Sequence, residues 1–162
     1  MRTILVWTAF AALLLVPISL STASPLLAFR QPIYILAGFA GILGMALLLV
    51  QPVLAGGYLP RVTVLRGRRI HRWTGAALVC AVILHVAGLW ITSPPDMIDA
   101  LLFRSPTPFS VWGVVAMWAL FAAALLALFR AHLRPRHWRL GHGSLVMIVV
   151  LGSVIHAVLI EG

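Results

Sequence analysis

The sequence predicts an all-α integral membrane protein, a bundle of five transmembrane helices with the N-terminus in the cytoplasm and the C-terminus in the periplasm. Three observations carry that prediction. Of 162 residues, 62% are hydrophobic and only 9% are charged, against roughly 25% charged residues in a soluble globular domain. Five apolar stretches, about 4–20, 33–54, 73–91, 111–129 and 143–160, each approach the ~20 residues that cross a ~30 Å hydrocarbon core as a helix. The arginines gather in the short segments between those stretches.

Each element follows from local punctuation. Pro25 and Pro32, then Gly56, Gly57 and Pro60, then Pro94, Pro95, Pro106 and Pro108, then Pro135 mark the gaps. Backbone polar groups left bare in lipid are costly, so every apolar run is expected to close as a helix. The first segment, residues 1–23, carries two readings. Met1-Arg2 followed by an apolar run and Ser21-Thr22-Ala23 suits a retained helix, the reading adopted, or a signal peptide ending in small residues. Cleavage leaves four spans in the same orientation. All of 1–162 is read as a single membrane domain, with no separate catalytic domain.

Charge sets the orientation. The chain has 12 basic side chains, all arginine, against 3 acids, a formal charge of +9. Arg61, Arg66, Arg68, Arg69 and Arg72 lie between spans two and three, and Arg130, Arg134, Arg136 and Arg139 between spans four and five. These segments and Arg2 are assigned to the cytoplasm by the positive-inside rule, and no nucleic-acid partner is expected. Arg30, Arg104, Asp96, Asp99 and Glu161 fall on the other side. Trp7, Trp73 and Trp138 map to the inner interface and Trp90 and Trp112 to the outer one, as an aromatic belt. Glycines such as Gly38, Gly41, Gly44, Gly75, Gly88, Gly143 and Gly152 permit close approach of helices or of a flat cofactor. Cys80, the only cysteine, has no partner for an internal disulfide and reads as a small packing residue.

Four of the six histidines form a pattern. His71 and His85 are 14 residues apart on the third span, and His142 and His156 are 14 apart on the fifth. Fourteen helical residues advance ~21 Å and return to within ~40° of the starting direction, so each helix carries two histidines on one face at two depths. One span separates the two helices, which therefore run in the same direction, pairing His71 with His142 and His85 with His156. Opposed imidazoles at one level supply both axial ligands of a haem iron. Two levels make two haems stacked across the membrane, one being the lesser alternative.

No C-x-x-C-H motif attaches a haem covalently. Taken singly, His71 and His142 also read as interfacial polar residues. His85 and His156 interrupt apolar runs, where a polar group needs a partner. A zinc site lacks the short ligand spacing, thiolates and carboxylates it would need. Arg69, Arg72 and Arg139 lie near the inner pair and suit haem propionates, a role the positive-inside bias explains equally well. His132 and His137 have no matching pair and read as solvated.

At His71-Arg72-Trp73-Thr74-Gly75 running on to His85, and at Trp138-Arg139-Leu140-Gly141-His142 running on to His156, the sequence resembles the ferric reductase-like transmembrane family. That family takes in the membrane parts of ferric reductases and NADPH oxidases. It also includes the haem-binding membrane subunit of the bacterial periplasmic methionine sulfoxide reductase system. The resemblance covers roughly 33–160, the haem-binding core. It implies non-covalent b-type haem on His71, His85, His142 and His156, with electrons passing through the membrane.

No Gly-rich dinucleotide fingerprint occurs, so a separate donor is expected. The resulting expectation is a dihaem cytochrome of the bacterial inner membrane. Its donor is a cytoplasmic flavin reductase or membrane quinol, and its acceptor a periplasmic reductase or ferric chelate. The alternatives are a quinol-linked membrane anchor of a larger oxidoreductase and a cofactor-free scaffold. The 92–110 segment reads as a solvated connector or a docking loop.

Overall fold

The computed structural model describes residues 2–161. Met1 and Gly162, and the side chains of Arg2, Leu26 and Glu161, lie outside that description. All regular structure among the described residues is helical: α1 (Arg2–Thr22), α2 (Pro32–Gly56), α3 (Val64–Thr92), α4 (Pro94–Leu101), α5 (Pro108–Leu128) and α6 (Pro135–Glu161). Short 3₁₀ helices occupy Pro25–Phe29 and Arg130–His132. Five helices, all but α4, are long and apolar enough to span a bilayer. The chain is a multi-pass membrane protein.

Two helices start earlier than the hydropathy suggested. α3 begins at Val64 and α6 at Pro135, so Arg66, Arg68, Arg69 and Arg72, and likewise Arg136 and Arg139, are in helix and not in loop. Arginine is a good helix former; the loss of hydropathy there marks a change of surroundings and not the end of the helix. His71 and His142 each lie two turns inside their helices. Between 92 and 110 the connector contains α4, begun by Pro94 and by Ser93, whose hydroxyl donates to the Asp96 carboxylate.

The chain divides into two compact units, residues 1–92 and 93–162. In the first, α2 and α3 form an antiparallel pair. Gly57 ends α2 with φ +70°, in the left-handed region that glycine enters without strain. Its N–H and that of Tyr58 return to the carbonyls of Leu54 and Val53. Thr63 then receives the Arg66 N–H on its hydroxyl at 3.3 Å, capping the start of α3.

Small residues hold the pair together. Gly88 faces Ala37, Gly44 faces Leu78 and Val82, and Gly67 sits against the Leu54 carbonyl, as helices that cannot rely on the hydrophobic effect in lipid require. Phe10 and Leu14 of α1 pack on Val50, Leu54 and Leu59.

In the second unit, α5 and α6 repeat the arrangement. Gly152 approaches Ala116 and the Trp112 carbonyl, and Gly141 meets Leu126. Thr107 and Pro108 open α5, where the hydroxyls of Ser105, Thr107 and Ser110 bond one another. Large apolar side chains such as Leu36, Leu84, Leu128 and Leu151 point outward, the inverse of a soluble core and the condition expected where the solvent is lipid.

Candidate functional site

Each unit seats one histidine against its neighbouring helix in the same way. In the first, His85 Nδ1 lies 2.8 Å from the carbonyl oxygen of Ala37 on α2. A carbonyl oxygen only accepts, so Nδ1 carries the proton and the basic lone pair of the ring is on Nε2. The imidazole reaches that carbonyl because the residue one turn further along α2 is glycine: a Cβ on Gly41 would stand 2.9 Å from His85 Nδ1.

In the second unit, His156 Nδ1 lies 2.9 Å from the carbonyl oxygen of Phe109 on α5. Here Gly113 stands one turn on, where a Cβ would come within 2.7 Å of the ring nitrogen. The Phe109 ring meets His156 edge-on at 5.7 Å.

The other two histidines differ from each other. His71 Nδ1 is 3.3 Å from the carbonyl oxygen of Gln51, beside the Gln51 side chain, the only buried polar side chain among the described residues. The amide reaches Thr74 Oγ1 at 2.9 Å. His142 stacks on Trp138, with ring centroids 4.6 Å apart and planes 21° apart. The spacing of four residues puts both on one face of α6. The Arg130 guanidinium lies 5.6 Å from the same indole.

The remaining candidates are placed as follows. Arg69 and Arg72 are exposed on either side of His71, and Arg139 is exposed one turn before His142. His132 and His137 are exposed. Cys80 is also exposed and does not fill a gap in the helix pair.

No three His, Cys, Asp or Glu side chains converge among the described residues. The donor set does suit haem iron, which takes one imidazole on each face. Axial ligation uses Nε2 while Nδ1–H is held by an acceptor. His85 and His156 meet that condition, each in a cradle that a Cβ would fill.

Residues 8–153 match the family described as "Ferric reductase like transmembrane component". The chain belongs to that family. Membership points this family member to electron transfer within the membrane. The match starts inside α1, well before residue 33, and takes in His71, His85 and His142; it ends three residues short of His156. Searches of curated proteins and of solved structures each found no match.

Sequence reasoning missed Gln51, the stacking of Trp138 on His142 and the specific role of Gly41 and Gly113. Two signals were available. Gln51 interrupts Leu-Leu-Leu-Val with an amide inside a span, where a polar group needs a partner. Trp138 and His142 stand at i and i+4. The glycines had no comparable signal, because their function depends on which turn of the neighbouring helix they face.

Proposed function

We propose that this chain is a bis-histidine dihaem b-type cytochrome of the bacterial inner membrane. It relays electrons from a cytoplasmic flavoprotein or quinol to a periplasmic reductase or ferric chelate. One observation carries the reading: the 14-residue histidine spacing occurs once in each unit, and the later histidine of each pair has the same seat, a carbonyl acceptor followed one turn on by glycine. Family membership supports it.

His85 and His156 would hold one haem and His71 and His142 the other, with Nε2 as donor atom in each. Haem iron, when bound, supplies a one-electron ferric–ferrous couple. The carbonyls of Ala37 and Phe109 keep the proton on Nδ1 and fix the ring planes. Arg69, Arg72 and Arg139 would neutralise propionates at the inner level. With two histidines holding each haem, the group would serve relay of electrons rather than activation of oxygen. The arginine-rich segments lie on the cytoplasmic side in this reading, the N-terminus inside and the C-terminus outside.

Reduced-minus-oxidised absorption spectra of the purified protein, with haem extracted and counted, test the proposal. Two haems per chain are expected, with His85→Ala and His156→Ala removing the same spectral component. A ratio of one retires the His71–His142 site. A colourless preparation from haem-replete cells that takes up no added hemin ends the reading. Mixing with quinol alone, or with a flavin reductase, then separates the two donors.

A further inference from the structure

We infer that Gln51 restrains haem loading at the inner level by holding His71 in the tautomer that cannot ligate iron; this rests on the dihaem reading above. The starting observation is cost. An amide buried in an apolar helix pair is unfavourable unless its donors and acceptor are used, and Gln51 is 8% exposed.

One orientation of the amide uses them all. Its nitrogen donates to His71 Nδ1 at 2.7 Å and to the His71 carbonyl at 3.2 Å, and its oxygen accepts from the Thr74 hydroxyl at 2.9 Å and from the Gly75 N–H at 3.2 Å. Turned through 180°, the oxygen would face the His71 carbonyl oxygen and the nitrogen the Gly75 N–H, acceptor against acceptor and donor against donor. Gln51 on α2 therefore grips the turn of α3 from His71 to Gly75 in a single sense.

That sense decides where the His71 proton lies. A donor facing Nδ1 requires a lone pair there, which puts the proton of the neutral ring on Nε2, the atom proposed to bind iron. His85 and His156 are in the opposite state. Backbone carbonyls 2.8 and 2.9 Å from their Nδ1 atoms keep the proton there and leave Nε2 free. Those two rings are prepared for ligation and His71 is not.

For His71 to bind through Nε2, the ring gives up the Nε2 proton and takes one up on Nδ1, remaining neutral, and the amide nitrogen has to leave. The acceptor then available to Nδ1–H is the Gln51 backbone carbonyl, 3.3 Å away. Ala37 and Gln51 are 14 residues apart on α2, as His71 and His85 are on α3, so this carbonyl is the counterpart of the one that seats His85. The bond from the amide to Nδ1 is lost in the exchange. One net hydrogen bond corresponds to roughly fivefold in an equilibrium constant, and the inner level binds haem more weakly by about that factor than it would without the amide.

The test is hemin titration of the full-length protein purified from haem-starved cells, followed by low-spin bis-histidine absorbance, with His71→Ala and His85→Ala identifying the two sites. Gln51→Leu, apolar like its neighbours in α2, is expected to tighten the His71-dependent haem roughly fivefold and to leave the other unmoved. Should Gln51→Leu fail to accumulate, Thr74→Val, which releases the amide oxygen from the hydroxyl, is expected to shift the same site in the same direction. An unchanged or weakened His71-dependent haem, as an amide that fills space or supports the ligand would give, overturns the inference. So does equal tightening at both levels. A second haem absent from the wild type and present in Gln51→Leu is the same effect in extreme form and supports it. A second haem absent from both retires the His71–His142 site and the inference with it, a failure of the dihaem reading recognised by missing stoichiometry and not by a missing shift.

Discussion

Gly41 and Gly113 differ from the other glycines of the helix pairs because each faces an imidazole. A methyl group at Gly41 would meet His85 Nδ1 at 2.9 Å and Cε1 at 3.1 Å; at Gly113 it would meet His156 Nδ1 at 2.7 Å and Cε1 at 2.9 Å. The ring is the movable partner, so it swings away and its bond to the carbonyl of Ala37 or Phe109 lengthens. That loss is about 1 kcal/mol, the usual net value of one hydrogen bond, and the imidazole proposed as a haem ligand loses its fixed plane. Gly41→Ala and Gly113→Ala are therefore expected to change the low-spin electron paramagnetic resonance signal of one and the same haem, with weakened retention. Gly38→Ala is the matched control, since a Cβ there meets nothing within 4 Å. Signals that change in two different haems would show that His85 and His156 do not share an iron.

At the scale of the element, the early starts of α3 and α6 determine where two of the four histidines stand. The first turns of α3 are held by Gly67, whose added Cβ would lie 2.8 Å from the Leu54 carbonyl oxygen. Alanine at an unhindered helical glycine gains roughly 1 kcal/mol of propensity, but crowding a packed contact costs about 1–3 kcal/mol. The neighbour here is backbone, so crowding wins. Gly67→Ala is expected to lower the thermal unfolding midpoint in detergent, whereas an unchanged or higher midpoint would mean that the turn beside Leu54 gives way.

The five helices were legible from hydropathy because lipid demands length and apolarity of every span, and the histidine spacing from helical periodicity. The helix starts at Val64 and Pro135 were not, since arginine extends a helix while ending its hydrophobic run. The 3₁₀ helix at Arg130–His132 and the short α4 were hidden for the same reason, as proline and polar residues mark both loops and helix beginnings. The seats of His85 and His156 need the register between two helices, which no single-helix pattern contains.

For the whole molecule, the division at Thr92 and Ser93 gives the dihaem proposal its most demanding test. Residues 1–92 contain His71 and His85, and residues 93–162 contain His142 and His156. Two histidines on one helix stand ~21 Å apart along its axis, far beyond the reach of a single iron, so within one chain neither unit alone supplies two axial ligands at a level. The proposed pairing draws one imidazole from each. Expressed separately in membranes and given hemin, the two fragments are expected to lack bis-histidine low-spin spectra. Co-expressed, they are expected to recover both haems, because each helix pair carries its own close contacts and needs no chain connection to form. A low-spin bis-histidine spectrum from residues 1–92 alone, persisting in protein shown to be monomeric, would mean that the ligands are not shared between the units, and the pairing of His71 with His142 and of His85 with His156 would have to be abandoned.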